Sequence, residues 1–124
     1  MSDILVVDDN EMILSLVEEV AELHGYDVRA TNNAHDFFSA YDKQEPDIML
    51  VDVVMPEMDG LEVIRRLVQM NSKTPLIIMS GYDYVDSNGI SLLAQNLNLL
   101  GFLKKPFDVD ELIEIMSGSL NQVH

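Results

Sequence analysis

Chemistry-bearing residues stand where the apolar runs of this sequence stop. Ile4-Leu5-Val6-Val7 runs into Asp8 and Asp9, and Ile48-Met49-Leu50-Val51 runs into Asp52. Leu76-Ile77-Ile78-Met79 runs into Ser80, and a run from Leu99 to Leu103 ends on Lys104-Lys105. Short apolar runs bounded by breakers read as buried strands. If the strand ends meet, Asp8, Asp9 and Asp52 crowd together. Two like charges ~4 Å apart repel by about 4 kcal/mol at an effective dielectric of 20. Such a cluster calls for a cation, and an all-oxygen ligand set suits Mg²⁺ or Ca²⁺ rather than zinc. A carboxylate-held metal commonly serves phosphoryl chemistry. Lys105 then offers a positive charge for phosphoryl oxygens and Ser80 a hydroxyl donor. Asp52 is the candidate carboxylate nucleophile, which would give an aspartyl phosphate. His24, His35 and His124 are not needed for this chemistry.

The elements that must position these groups alternate. After the first strand, Met12, Ile13, Leu16, Val17, Val20 and Ala21 recur at helical spacing, with Glu18, Glu19 and Glu22 on the other face. Asp9 or Asn10 can cap this helix and Gly25 can end it. Residues 26–30 alternate and read as a more exposed strand. Asn32-Asn33 form a turn or cap before a helix over 34–43 with Phe37, Phe38 and Tyr41 inward. Beyond the Asp52 strand, Gly60 opens a helix to about residue 70 that buries Leu61, Ile64, Leu67 and Val68. A fourth strand spans 75–80, a helix is expected over about 87–96, and a fifth strand covers 99–103. Asp108 caps a last helix carrying Val109, Leu112, Ile113 and Met116. A βα unit repeated five times predicts an α/β fold, a doubly wound parallel sheet with helices on both faces. In such sheets ligands bind beyond the carboxyl ends of the strands, which gathers Asp8, Asp9, Asp52, Ser80 and Lys105 at one rim.

Composition narrows the function. The chain has 124 residues, 48% of them hydrophobic, enough for one domain with a full core. Cysteine is absent, so disulfides and thiolate chemistry are excluded. No apolar run approaches the ~20 residues of a membrane span, and no signal peptide is evident. The expectation is a cytoplasmic protein. A net charge of −15 argues against nucleic acid and anionic membranes as partners. The eight methionines read mostly as core filler.

Four motifs together resemble the receiver domain of bacterial two-component response regulators, of the single-domain, chemotaxis-regulator-like type. They are Val6-Val7-Asp8-Asp9-Asn10, the stretch from Leu50 through Asp52 to Met58-Asp59-Gly60, Ile78-Met79-Ser80-Gly81, and Phe102-Leu103-Lys104-Lys105-Pro106-Phe107. The resemblance implies a five-stranded, flavodoxin-like three-layer sandwich of strand order 2-1-3-4-5. It implies Asp52 as phosphoacceptor, with Mg²⁺ held by Asp9, Asp8, Asp52 and the Val54 carbonyl. Ser80 and Lys105 would bind the phosphoryl group, and Lys104 would be an exposed neighbour. The Lys105-Pro106 bond would be cis. Ser80 and Phe102 would form a switch, the aromatic turning inward behind the hydroxyl into space left by Gly81. The fourth helix, fifth strand and last helix would display the outcome to an unidentified protein target. The phosphoryl donor would be a histidine kinase or a histidine phosphotransfer protein. Val54, Gly81 and Tyr82 would flank the site, with Val54 and Tyr82 controlling the access of water. Two plainer readings stand beside these: Phe102 as a core aromatic and Asp59 as a turn residue. The stretch between Tyr82 and Leu100 departs from the family pattern, being rich in Leu and Asn.

The domain expected over 1–124 is a stand-alone receiver, and a receiver cut from a longer regulator is the alternative. Two other functions compete. A Mg²⁺-dependent phosphohydrolase with an aspartyl nucleophile typically carries a second acid two residues on, where this sequence has Val54. A flavin-binding electron carrier needs a loop that welcomes phosphate, whereas Asp8-Asp9-Asn10-Glu11 is acidic and glycine-free.

Overall fold

A computed structural model describes residues 2–53, 60–81 and 94–121, with side chains described as far as residue 117. Five parallel strands form one sheet, β1 (Asp3–Val7), β2 (Asp27–Thr31), β3 (Ile48–Asp52), β4 (Leu76–Gly81) and β5 (Leu99–Lys105), in the order β2-β1-β3-β4-β5. Among the described residues four α-helices cover it: α1 (Glu11–Leu23), α2 (Ala34–Lys43), α3 (Gly60–Gln69) and α4 (Val109–Asn121). No helix is long and apolar enough to cross a membrane among the described residues.

Strand side chains alternate between the two faces, so one strand feeds two cores. Leu5, Val7, Met49, Val51, Leu76 and Ile78 pack with Phe37, Val63, Ile64 and Leu67 under α2 and α3. Ile4, Val6, Ile48, Leu50, Ile77 and Met79 pack with Val17, Ala21, Leu112 and Met116 under α1 and α4. This double cover explains why β1 and β3 are buried at every position, while the edge strands β2 and β5 are mixed.

The helix ends follow the sequence logic in mechanism, with refinements in detail. Asn10, not Asp9, caps α1: its Oδ1 accepts the amides of Met12 at 2.9 Å and Ile13 at 3.4 Å. Asn33 caps α2 by accepting the Asp36 amide at 2.8 Å. Asp108 and Glu111 form a reciprocal capping box at α4, at 2.8 and 3.2 Å. Gly25 takes a left-handed φ of 88° just past α1, the conformation expected of a helix stop.

Some core assignments change. Met12 is 81% exposed, and Leu14 takes the buried place instead. Periodicity locates a helix face but not its edges, and Met12 falls just outside. Val109 is 39% exposed because it opens α4, before the helix has settled onto the sheet. Val63 is fully buried, while Leu61 and Val68 are only partly so. Strand β5 runs to Lys105, which brings the lysine into the ladder. Of the helix expected over 87–96, the described part is a 3₁₀ turn, Ala94–Asn96, and the rest lies outside the described residues.

Candidate functional site

The ladder sets the height of each functional residue. Val7 pairs with Val51 across β1 and β3, so Asp8 and Asp52 leave the sheet at the same level. Asp52 pairs with Met79, which places Ser80 one residue further along the neighbouring strand. Ser80 pairs with Lys104 and Gly81 with Lys105. One rim thus receives Asp8, Asp9, Asp52, Ser80 and Lys105.

Asp8 is held from both sides. Its amide donates to the Thr31 carbonyl at 3.1 Å, continuing the β1–β2 ladder by one residue. Its Oδ1 accepts the Asn10 amide at 2.9 Å, which turns the chain towards α1. The other oxygen, Oδ2, is buried and lies 2.7 Å from Lys105 Nζ, in a geometry that makes no aligned hydrogen bond. Asp52 is fully buried, and its Oδ2 accepts a hydrogen bond from Lys105 Nζ at 3.1 Å. Asp9 is exposed, yet one oxygen from each of Asp8, Asp9 and Asp52 lies within 4.8 Å of the others. Lys105 sits on the edge strand. Its ammonium spans two strand spacings, ~10 Å, to reach Asp52 on β3, where the Asp8 carboxylate, from the strand beyond, also meets it. Only a long flexible side chain reaches that far.

The electrostatics follow from this geometry. Burial is the largest influence on Lys105 and pulls its pKa down. The short polar contact with Asp8 and the charges of Asp52 and Asp8 together outweigh it, so the pKa rises above 10.5. Among the described residues one ammonium therefore serves two buried carboxylates, with the Asp9 carboxylate nearby. A hard divalent cation fits this donor set: the oxygens belong to carboxylates, and one from each of Asp8, Asp9 and Asp52 converges within 4.8 Å of the others.

The other predicted residues are placed less centrally. Ser80 is 2% exposed at the same rim. Phe102 is 39% exposed on the edge strand, so it is not a core aromatic here. A Cβ built on Gly81 would meet nothing within 4 Å among the described residues. Lys104 is exposed, as expected of the neighbour. The Lys105-Pro106 bond is cis. Val54, Tyr82 and Asp59 lie outside the described residues.

Two contributors were not legible as site residues. Gly60 opens α3 so close to β3 that a Cβ there would sit 2.1 Å from the Asp52 carbonyl oxygen and 2.4 Å from Val53 Cα. Only glycine permits that approach, which fixes the backbone carrying Asp52. The signal was present as Asp59-Gly60, read as the end of the motif after Asp52 and as a helix start. Thr31 supplies the carbonyl that holds Asp8, and its hydroxyl donates to the Val6 carbonyl at 2.7 Å.

Known proteins resemble this chain in sequence and fold. The sequence model of the response regulator receiver domain matches residues 4–117. Sporulation initiation phosphotransferase F of Bacillus subtilis is 34% identical over 109 residues, covering 88% of this chain and 86% of that protein. Regulatory protein AtoC of Escherichia coli is 30% identical over 117 residues, which are 94% of this chain but 25% of that protein. The chain spans a quarter to about half the length of several such regulators. The receiver domain of NtrX from Brucella abortus superposes with a TM-score of 0.83 at 26% identity, covering 96% of this chain and 98% of that one. With fold, rim and sequence in agreement, the chain belongs to the response regulator receiver domain family.

Proposed function

We propose that residues 1–124 form one receiver domain that accepts a phosphoryl group on Asp52 and signals by binding. The observation that carries this reading is the buried Asp52 carboxylate, with Lys105 Nζ at 3.1 Å and the Asp8 and Asp9 oxygens gathered beside it. Asp8, Asp9 and Asp52, with the Val54 carbonyl, are the residues that would hold Mg²⁺. When bound, Mg²⁺ supplies charge neutralisation for phosphoryl oxygens.

The chain's own residues do the rest. An Asp52 carboxylate oxygen forms the new O–P bond as the donor's P–N bond to imidazole breaks, and the imidazole leaves with its electron pair and takes up a proton. Lys105 follows the negative charge onto the phosphoryl oxygens, releasing its contact with Asp8. The Ser80 hydroxyl donates to another phosphoryl oxygen. Phe102, outward here, turns towards the space behind Ser80, and that change alters the face around β5 and α4. Hydrolysis reverses the state: water attacks phosphorus and the Asp52 carboxylate leaves. Val54, Gly81 and Tyr82 set how readily water enters. The protein acts as a phosphoacceptor rather than as an enzyme with turnover. Its donor is a histidine kinase or histidine phosphotransfer protein, its target an unidentified protein, and its compartment the cytoplasm.

The test is intact mass after incubation with a small phosphodonor and Mg²⁺. The wild type gains one phosphoryl group. Asp52→Ala gains none, and chelation of the metal suppresses the gain in the wild type. Equal gain by Asp52→Ala overturns the assignment.

A further inference from the structure

The last rung of the β1–β2 ladder carries a functional acid on an edge strand. Strand β2 lies at the rim of the sheet and ends at Thr31, which pairs with Val7. The Thr31 carbonyl then takes the Asp8 amide at 3.1 Å, one residue past the end of β1. Asp8 thus takes its backbone position from a strand end with a neighbour on one side only, where ladders open most readily. Asp52 differs: it ends β3, an inner strand held between β1 and β4. A polar cleft of about 400 Å³ also opens beside the Thr31 rung, with Glu11, Glu18, Asn32 and Asp36 in its walls and Thr31 among them. Water in such a cleft competes for both partners of the rung.

One side chain closes the rung a second time. The Thr31 hydroxyl donates back across the ladder to the Val6 carbonyl at 2.7 Å. Thr31 is therefore tied to β1 on both sides of Val7, by its hydroxyl to Val6 and by its carbonyl to Asp8. Strand propensity alone asks only for a β-branched residue here, and valine would satisfy it. What valine lacks is the hydroxyl, which makes the second tie. The Asp8 carboxylate depends on that rung for its aim. Its Oδ1 accepts the Asn10 amide at 2.9 Å and its Oδ2 faces Lys105 Nζ at 2.7 Å, so a shift of the Asp8 backbone disturbs both contacts.

We infer that Thr31 is a positioning residue for the acid cluster: its hydroxyl clamps the end of β2 to β1 and so holds the Asp8 carboxylate where a divalent cation needs it. The inference rests on the reading that Asp8, Asp9 and Asp52 hold Mg²⁺. Thr31 acts only through Asp8, as outer partners of metal ligands do when they fix where a ligand points.

The test measures Mg²⁺ affinity of the full chain by titration calorimetry, and backbone amide exchange at Asp8 by NMR in metal-free buffer. Thr31→Val should weaken Mg²⁺ binding about tenfold and speed exchange of the Asp8 amide by a similar factor. Thr31→Ser keeps the hydroxyl and should return both readouts to near the wild-type values. Thr74→Val controls for general loosening. It removes a buried hydroxyl that donates to Glu45 at 2.8 Å at the opposite end of the sheet, and it should lower the melting temperature without moving either readout. Asp8→Asn should weaken Mg²⁺ at least as much as Thr31→Val does. Wild-type affinity in Asp8→Asn would overturn the cation reading and this inference with it. With that reading intact, three results overturn the inference alone. One is wild-type Mg²⁺ affinity in Thr31→Val. Another is failure of Thr31→Ser to restore it. The last is an equal loss in Thr74→Val, which would reduce the effect to general destabilisation.

Discussion

The two ends of the sheet solve the same problem in opposite ways. At the end where the strands begin, Asp3 is nearly buried and faces Arg29, whose Nε and Nη2 both donate to its carboxylate, at 3.2 and 2.5 Å. The same guanidinium donates to the Ala40 and Gln44 carbonyls at 2.6 and 2.8 Å. Beside it, Tyr41, Ser72, Thr74 and Glu45 close a hydrogen-bonded chain. At the end where the strands finish, two fully buried carboxylates share one lysine among the described residues, and the Asp9 carboxylate lies close by. At the first end the buried carboxylate of Asp3 has a bidentate guanidinium partner, an arrangement that ties β1, β2 and α2 together. Among the described residues the second sets one ammonium against three carboxylates, an excess of negative charge that a cation can use.

The contrast can be broken or sharpened by measurement. Arg29→Met strands Asp3 and should cost roughly 3 kcal/mol in denaturant unfolding, with the Mg²⁺ response intact. A loss below about 0.5 kcal/mol would mean that the Asp3–Arg29 arrangement does not tie those elements together. Next in size, Mg²⁺ at a hundred times its dissociation constant should stabilise the wild type by about 2.7 kcal/mol in thermal melts. Asp8→Asn should lose much of that gain.

A smaller effect carries the sharper sign. In metal-free buffer, Asp8→Asn removes one of two like charges and should raise stability by about 1 kcal/mol. Asp3→Asn, the same change at the other end, should lower it. Matching signs would erase the distinction between the two ends. The smallest effect is with pH. The folded pKa of Lys105 lies above its ordinary 10.5, so its stabilising contribution is complete below 10.5 and fades as pH rises through the folded value. Urea midpoints of metal-free protein should therefore fall in the alkaline range with a steeper slope than those of Lys105→Met.

Much of the functional end was legible in the sequence because apolar runs that stop on acids announce strand ends, and the fold rule then collects them. The structural end was not. Arg29 and Asp3 are 26 residues apart, and only the β1–β2 register, which pairs Asp3 with Asp27 and Leu5 with Arg29, puts them within reach. Met12 was misplaced because helical spacing gives the direction of a face and not its width. Gly60 was read as a helix opener because close backbone approach leaves no trace in sequence beyond the glycine itself. Phe102 was left between core and switch because its exposure depends on β5 lying at the edge of the sheet. Leu23 fell outside the apolar pattern read for α1, and it is exposed at the end of that helix.

The central proposal is that Asp52, at the acid-rich end, accepts the phosphoryl group. The most direct test traps the product: after phosphodonor and Mg²⁺ treatment, borohydride reduces an acyl phosphate to the alcohol, which converts a phosphorylated aspartate to homoserine. Peptide sequencing by mass spectrometry should find homoserine at position 52 and aspartate at positions 8 and 9. Homoserine at position 8 or 9 with aspartate retained at 52, or aspartate at all three after phosphodonor treatment, would contradict the account.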